Sequence, residues 1–348
     1  MLILKNWNNI FKISFHLLSY KNLILFNYIN YSNHYLVFDN MVNENADSKA
    51  KPFLKWAGGK TQLLDEIKER LPSDICADYK YFEPFVGGGA VFFSLMDEFE
   101  FEYAYLNDVN EDLILTYNII KEKPDELIYN LKNFKNIYDS DLVDNKKFYY
   151  SVRNNFNEGN ININPFNTSS ENIFRASQMI FLNKTCFNGL YRVNKSGKFN
   201  VPFASPKNPL ICDEENIHEV HDALQNVELN VGDFSECKEL IDSSSFVYLD
   251  PPYKPVNDKK SFEGYTNVGF DNDEQRRLAR FCKDIDKKAK FLLSNSKPKD
   301  NSLFEELYHD FKTDTVSAKR SINSNGKKRG EIDELLIYNN YELIKIEK

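Results

Sequence analysis

The chain has 348 residues, with 44 lysines and arginines against 52 aspartates and glutamates, for a formal net charge of −8. That length suits one elaborated domain or two with a sizeable core, and 42% hydrophobic with 14% aromatic residues excludes wholesale disorder. Five scattered cysteines (Cys76, Cys186, Cys212, Cys237 and Cys282) include no C-x-x-C spacing, which excludes a cysteine-rich zinc module and a disulfide scaffold and fits a reducing cytoplasm.

Residues 1–40 contain no Ala, Gly or Pro and a single acid, Asp39. The longest uncharged run, Asn22 to Phe38, is interrupted by Asn, Ser and His, whereas a membrane span needs ~20 predominantly apolar residues. A secretory signal would need a cleaner apolar stretch and a small-residue cleavage site. The expectation is a dispensable extension over residues 1–50, with Met41 as the natural start. From Lys51 the texture becomes that of a globular α/β protein. The segment P-F-L-K-W-A-G-G-K, Pro52 to Lys60, sets Trp56, two glycines and Lys60 before an amphipathic stretch, Gln62–Leu71, that reads as a helix. Lys60 is placed to meet a carboxylate and Trp56 to pack on a cofactor; a helix-capping turn with core aromatics is the alternative.

Next come a short strand, Tyr81–Phe82, and F-E-P-F-V-G-G-G, in which Glu83, Pro84 and Phe85 lead into Gly87, Gly88 and Gly89 and an apolar helix start. Such a turn suits a nucleotide-type cofactor, although it is not G-x-G-x-x-G, and a purely structural turn remains open. Some twenty residues on, the strand Tyr103–Leu106 ends at Asn107 and Asp108, an acid placed to accept from ribose hydroxyls. Residues 125–225 change character: rich in Asn, Lys, Tyr and Phe with helical patterning, they read as an insert dividing a catalytic domain of residues 51–124 and 226–348. Within it, Glu171 to Asp213 encloses six basic residues (Arg175, Lys184, Arg192, Lys195, Lys198 and Lys207) and no acid. A second acid-free stretch, Thr315 to Gly330, carries Lys319, Arg320, Lys327, Lys328 and Arg329. Two such segments in an acidic protein are what phosphate neutralisation requires, solvated basic loops being the alternative.

The apolar strand Phe246–Leu249 delivers Asp250, Pro251, Pro252 and Tyr253 to its C-terminal edge, where open α/β sheets bind ligands. The prolines lack N–H groups, so their carbonyls are free to face a cleft, and Asp250 accepts hydrogen bonds only. A carboxylate beside a carbonyl forms a two-acceptor clamp for an –NH₂ group, with Tyr253 as a stacking face for a planar base. Holding both amine hydrogens draws the nitrogen towards tetrahedral geometry and frees its lone pair. A helix over Glu274–Ile285 and a strand over Phe291–Leu293 complete the alternation of a doubly wound sheet. His218, His221 and His309 sit in polar helical contexts and read as surface residues without a third metal ligand.

Taken in order, K-W-A-G-G-K, F-E-P-F-V-G-G-G, L-N-D, N-G-L-Y-R-V-N-K-S-G-K-F-N-V-P-F, V-G-D-F, D-P-P-Y and L-S-N-S resemble the Dam-like, DpnII-type (D12 class, alpha group) adenine-N6 DNA methyltransferases, from about Pro52 to Tyr338. The resemblance implies a Rossmann-like S-adenosylmethionine-dependent sheet with a mainly helical DNA-recognition insert. It implies S-adenosylmethionine bound by Trp56, Lys60, Asp108 and Asp250, with Glu83, Pro84, Phe85, Gly87, Gly88, Gly89, Asp233 and Phe234 lining the pocket. Phe187, Asn188, Leu190 and Arg192 match the family's DNA-reading loop, where the aromatic wedges into the duplex and the arginine reads a guanine; Asn194, Lys198, Lys319 and Arg320 would add DNA contacts. The implied reaction methylates a flipped-out adenine in double-stranded DNA, within GATC, by direct attack and without a metal. A cytoplasmic, DNA-associated monomer paired with a restriction endonuclease is the expected setting.

Overall fold

The computed structural model describes residues 49–140, 142–159, 163–253, 270–298, 300–319 and 331–345. The chain divides into residues 1–47 and 48–348, and every described residue belongs to the latter. The expected extension, Arg320 and the rest of the second basic stretch therefore lie outside the described residues.

Seven strands form one sheet in the order β3-β2-β1-β4-β5-β7-β6. In chain order these are β1 (Lys80–Glu83), β2 (Tyr103–Asp108), β3 (Val227–Val231), β4 (Ser245–Leu249), β5 (Lys290–Ser296), β6 (Lys312–Lys319) and β7 (Glu331–Tyr338). The first five pair in parallel, and β7 runs antiparallel to both its neighbours, β5 and β6. The strands expected at Tyr81–Phe82, Tyr103–Leu106, Phe246–Leu249 and Phe291–Leu293 are all present, because each is a short apolar run that parallel pairing buries on both faces. β4 shows this most fully, with all five residues buried. The sheet order reverses between β1 and β4, and that switch point places the ends of β1, β2 and β4 around one crevice.

The helices are α1 (Leu64–Lys68), α2 (Ala90–Phe99), α3 (Glu111–Glu122), α4 (Pro124–Asp139), α5 (Asn145–Glu158), α6 (Ser170–Thr185), α7 (Glu214–Ala223), α8 (Asn272–Ile285) and α9 (Ser302–Tyr308). Helix α1 is shorter than the expected Gln62–Leu71. The Leu63 amide closes a turn on the Lys60 carbonyl and no side chain caps the helix, so the first turn never forms. Five helices, α3 to α7, occupy the single crossover from β2 to β3. Helix α3 starts at Asn110, whose side chain accepts from the Leu113 amide, and it is buried continuously from Asp112 to Ile120 because elements cover it on every side. Pro124 opens α4 at its first turn, where the missing N–H costs nothing. The helical patterning expected over residues 125–225 is thus realised as α4, α5, α6 and α7. The segment quoted only as a basic stretch begins inside β6, whose last residue, Lys319, pairs with Glu331 of β7.

Candidate active site

The crevice is built around Asp250, the residue after β4. Its Oδ2 accepts from the Lys60 ammonium at 2.7 Å and its Oδ1 from the Ser294 hydroxyl at 3.1 Å. Lys60 is only 4% exposed and also donates to the Gly58 carbonyl at 2.6 Å, so the G-G-K turn aims the cation inward. The same ammonium lies 4.6 Å from the centre of the Tyr253 ring, and the Tyr253 hydroxyl donates to Glu334 of β7 at 2.7 Å. Burial lifts the Asp250 carboxyl above its ordinary value, while Lys60 and Ser294 pull it back down. Pro251 is buried and Pro252 exposed.

Across the switch point, Glu83 ends β1 and is 2% exposed, with the Tyr81 hydroxyl donating to it at 2.7 Å. Burial, and to a lesser degree the Asp250 charge, pushes Glu83 up to about 8. At the end of β2, Asp108 accepts from the amides of Gly87 at 3.1 Å and Asn110 at 2.9 Å, and burial raises it to about 6. The adjacent Asn107 donates to the carbonyls of Pro84 (2.9 Å) and Gly232 (3.0 Å), so one side chain ties the loops after β1 and β3 to β2. The glycine turn follows a close approach. Gly87 and Gly89 take φ of +48° and +72°, and a Cβ on Gly87 would fall 2.8 Å from the Trp56 ring. Gly88 packs under the same tryptophan. Phe85 stacks on Phe234 at 5.2 Å, which joins the β1 loop to the loop after β3. Asp233 is held differently from the others: the Arg277 guanidinium keeps it down at about 2, and its side chain caps the Phe234–Leu240 turn. Part of its hydrogen-bonding capacity is therefore spent within the fold.

The segment expected to read DNA follows α6. Phe187 is 46% exposed, and Asn188 adopts φ +60°, a left-handed conformation that Asn tolerates better than most residues. Leu190 is half-buried. Arg192 is exposed and donates to Asn200 at 2.7 Å. Asn194 is a turn residue: its Oδ1 accepts from the amides of Ser196 and Lys198, closing a hairpin in which Val193 bridges Phe199. That hairpin leaves Lys195 and Lys198 exposed at its tip. Arg175, in contrast, does not belong to the basic surface. It is 6% exposed and grips Asp112 of α3 through Nε (2.6 Å) and Nη2 (3.0 Å). Lys184 is also largely buried, which lowers its affinity for a proton. The exposed cations of this segment reduce to Arg192, Lys195, Lys198 and Lys207.

Several residues that complete the site carried no assigned role in the sequence. Tyr191 stacks on Trp56 with ring centres 5.4 Å apart, and its hydroxyl donates to Asp112. Asn183 of α6 accepts from the Lys55 amide and donates to the Lys55 and Gly189 carbonyls, which joins the segment bearing Trp56 and Lys60 to the Asn188 turn. Ser294 lies inside the L-S-N-S marker, Tyr191 inside N-G-L-Y-R and Tyr248 inside the Phe246–Leu249 strand, so position alone points to them; Asn183 and Glu334 carry no local signal. Among the described residues, no cluster of three His, Cys, Asp or Glu side chains suits a metal ion. His218 and His309 are exposed, while His221 is half-buried with Nδ1 2.8 Å from the Lys121 carbonyl. No helix among the described residues is long and apolar enough to cross a membrane.

A sheet with one antiparallel strand between β5 and β6, and strand-end acids on either side of its switch point, defines a Rossmann-like methyltransferase. The family model for D12 class N6 adenine-specific DNA methyltransferases matches residues 56–322, and the chain belongs to that family. It is 48% identical over 296 residues to the type II methyltransferase M.MjaIII of Methanocaldococcus jannaschii, covering 84% of this chain and 99% of that protein. It is 36% identical over 292 residues to the type II methyltransferase M1.LlaDCHI of Lactococcus lactis subsp. cremoris, covering 83% and 95%. A DNA adenine methylase of Haemophilus influenzae is 36% identical over 290 residues, covering 83% and 93%.

Proposed function

We propose that this adenine-specific DNA methyltransferase takes its methyl group from S-adenosylmethionine and acts on a flipped-out adenine within GATC. The observation that carries the reading is the Asp250 carboxylate, fixed from two sides at the mouth of the crevice and followed at once by Pro251, Pro252 and Tyr253. The residues fit the cofactor by their chemistry. Lys60 is a buried cation for a methionyl carboxylate, Asp108 an acceptor for ribose hydroxyls, and Trp56, Phe85 and Phe234 aromatic surface for an adenine, with Glu83, Pro84, the three glycines and Asp233 around them. When bound, S-adenosylmethionine supplies an electrophilic methyl carbon on a positively charged sulfur that departs as a neutral thioether. The protein's part is to hold the adenine amine. Asp250 and the Pro251 carbonyl accept its two hydrogens, Tyr253 stacks on the ring, and the released proton passes to solvent. Extrusion of the base is required because its amino group is out of reach inside the stack.

Residues 51–124 and 226–348 form the catalytic part and 125–225 the recognition insert, with Phe187 as wedge, Arg192 as guanine reader and Asn188, Leu190, Lys198, Lys319 and Arg320 as supporting DNA contacts. The likeness to two type II methyltransferases supports a role in protecting host DNA beside a restriction endonuclease; a cytoplasmic monomer is part of the same proposal. The test is incubation with methyl-labelled S-adenosylmethionine and two duplexes, one with GATC and one with those bases scrambled. Label in N6-methyladenine of the GATC duplex alone is expected, and Asp250→Ala should abolish it in a chain that still folds and melts cooperatively. Equal labelling of both duplexes would discard the site, and an active Asp250→Ala would discard the clamp.

A further inference from the structure

One step back from Asp250 along the same strand face lies Tyr248, and across the ladder lies Ser294. Tyr248 pairs with Leu292 and Leu249 with Leu293, so the next residues in register are Asp250 and Ser294. Residues 248 and 250 point to the same side of the sheet because strand side chains alternate. Tyr248 and Ser294 are both 0% exposed, and their oxygens lie 2.9 Å apart. Ser294 has one hydrogen, and it is directed at Asp250 Oδ1 at 3.1 Å; the Tyr248 hydroxyl must then be the donor to Ser294. The bonds form a one-way chain, Tyr248 to Ser294 to Asp250. Lys60 meets the other carboxylate oxygen.

We propose that Ser294, backed by Tyr248, is a positioning residue that fixes the plane of the Asp250 carboxylate for the target amine. The inference rests on the reading of Asp250 given above. Lys60 alone is a point charge that tolerates rotation of the carboxylate about its terminal bond; a second donor on Oδ1 removes that freedom. A donor whose own oxygen is already filled by a buried phenol has no competing arrangement to relax into. The groups facing Asp250 are Lys60 from the G-G-K turn, Glu83 from β1, Tyr248 from β4, Ser294 from β5 and Tyr253 with Glu334 behind it from β7. Of these, Ser294 is a neutral donor to the charged form of Asp250, so its loss moves Asp250 towards protonation.

The experiment measures initial methylation rates against pH, and dissociation constants for S-adenosylmethionine, in the full chain and in Ser294→Ala, Tyr248→Phe and the double variant. The substrate is unmethylated DNA of mixed sequence, so the outcome does not depend on which site is read. Ser294→Ala should lower kcat by about tenfold to a hundredfold, as expected for one hydrogen bond to a charged group, with the cofactor dissociation constant within about twofold. The acid limb of its rate profile should move to higher pH. Tyr248→Phe should produce a smaller loss alone and almost none on top of Ser294→Ala, because the chain is already cut. Wild-type kcat and profile in Ser294→Ala would overturn the proposal. So would additive losses that track weakened cofactor binding with an unmoved acid limb, the signature of a merely structural role. If the wild-type chain itself placed no label on adenine N6, the Asp250 reading would fail, and the proposal with it.

Discussion

Two carboxyl groups at neighbouring strand ends are both lifted by burial and differ in what opposes that lift. Asp250 has a cation and a hydroxyl on its oxygens, whereas Glu83, met by the Tyr81 phenol and the Phe92 amide, is driven up to about 8 by burial. The sign of the consequence for stability follows from proton counting. Above the ordinary value of 4.5 the unfolded chain has released the Glu83 proton while the folded chain keeps it, so stability falls as pH rises from there to about 8. Asp108 acts in the same direction, but only between 3.8 and about 6. From pH 6 to 8, past the Asp108 window, the proton that Glu83 retains costs the folded state ~1.4 kcal/mol for every pH unit crossed. Glu83→Gln keeps an acceptor for Tyr81 and should flatten the melting temperature over that interval; a slope equal to wild type would show that Glu83 does not titrate there. Arg192 belongs to the same scale. Its guanidinium is exposed and, among the described residues, is held by Asn200, so Arg192→Ala should leave folding intact and cost about 1–3 kcal/mol of discrimination at one base. Methylation of a panel of duplexes with single-base changes reads this directly, and unchanged selectivity would place the reader elsewhere.

At the scale of elements, buried polar contacts rather than the basic surface join α6 and the segment after it to α3. Arg175 of α6 and Asp112 of α3 form a two-pronged pair whose side chains are 7% and 8% exposed, and the Tyr191 hydroxyl joins the same carboxylate beneath its stack on Trp56. Removing the cation leaves an uncompensated buried charge, so Arg175→Leu should destabilise the fold by about 3–5 kcal/mol in urea titrations. A loss below about 1 kcal/mol would mean that water reaches Asp112. A sequence reading counts Arg175 among phosphate-binding cations because chain order shows no acid nearby; the acid that matters is 63 positions away. Helical patterning, by contrast, is local, which is why α8 differs from its expected range by only two residues at its start.

For the molecule as a whole, a net charge of −8 would oppose DNA, yet Lys195, Lys198 and Lys207 are exposed on the segment that carries Phe187 and Arg192. If each meets one phosphate, they contribute a slope of about −3 to the logarithm of the binding constant against the logarithm of salt concentration. Replacing Lys195 and Lys198 with Gln should reduce the measured slope by about 2, and an unchanged slope would remove this face from the interface. Global charge thus says little about the partner, because a phosphate backbone responds to the local field, which is screened within about 10 Å at 0.1 M salt.

The chemistry was legible in the sequence because its carriers are contiguous: the strand that delivers D-P-P-Y, the glycine turn after β1 and the acid ending β2 are each set by a few neighbouring residues. The family followed from their order. What the sequence left open is which of these groups meet. Lys60 reaches Asp250 across 190 positions, Tyr253 reaches Glu334 across 81, and Ser294 faces Asp250 only because β4 and β5 pair in one register. Strand order and register are properties of the assembled sheet, where burial on both faces selects one alignment of strands that lie far apart in the chain. The same assembly turned Arg175 inward, spent part of Asp233 on Arg277 and set Asn194 to closing a hairpin. Sequence alone determined the kind of reaction, and the tertiary structure decided which side chains surround Asp250, because those partners come from strands and turns far apart in the chain.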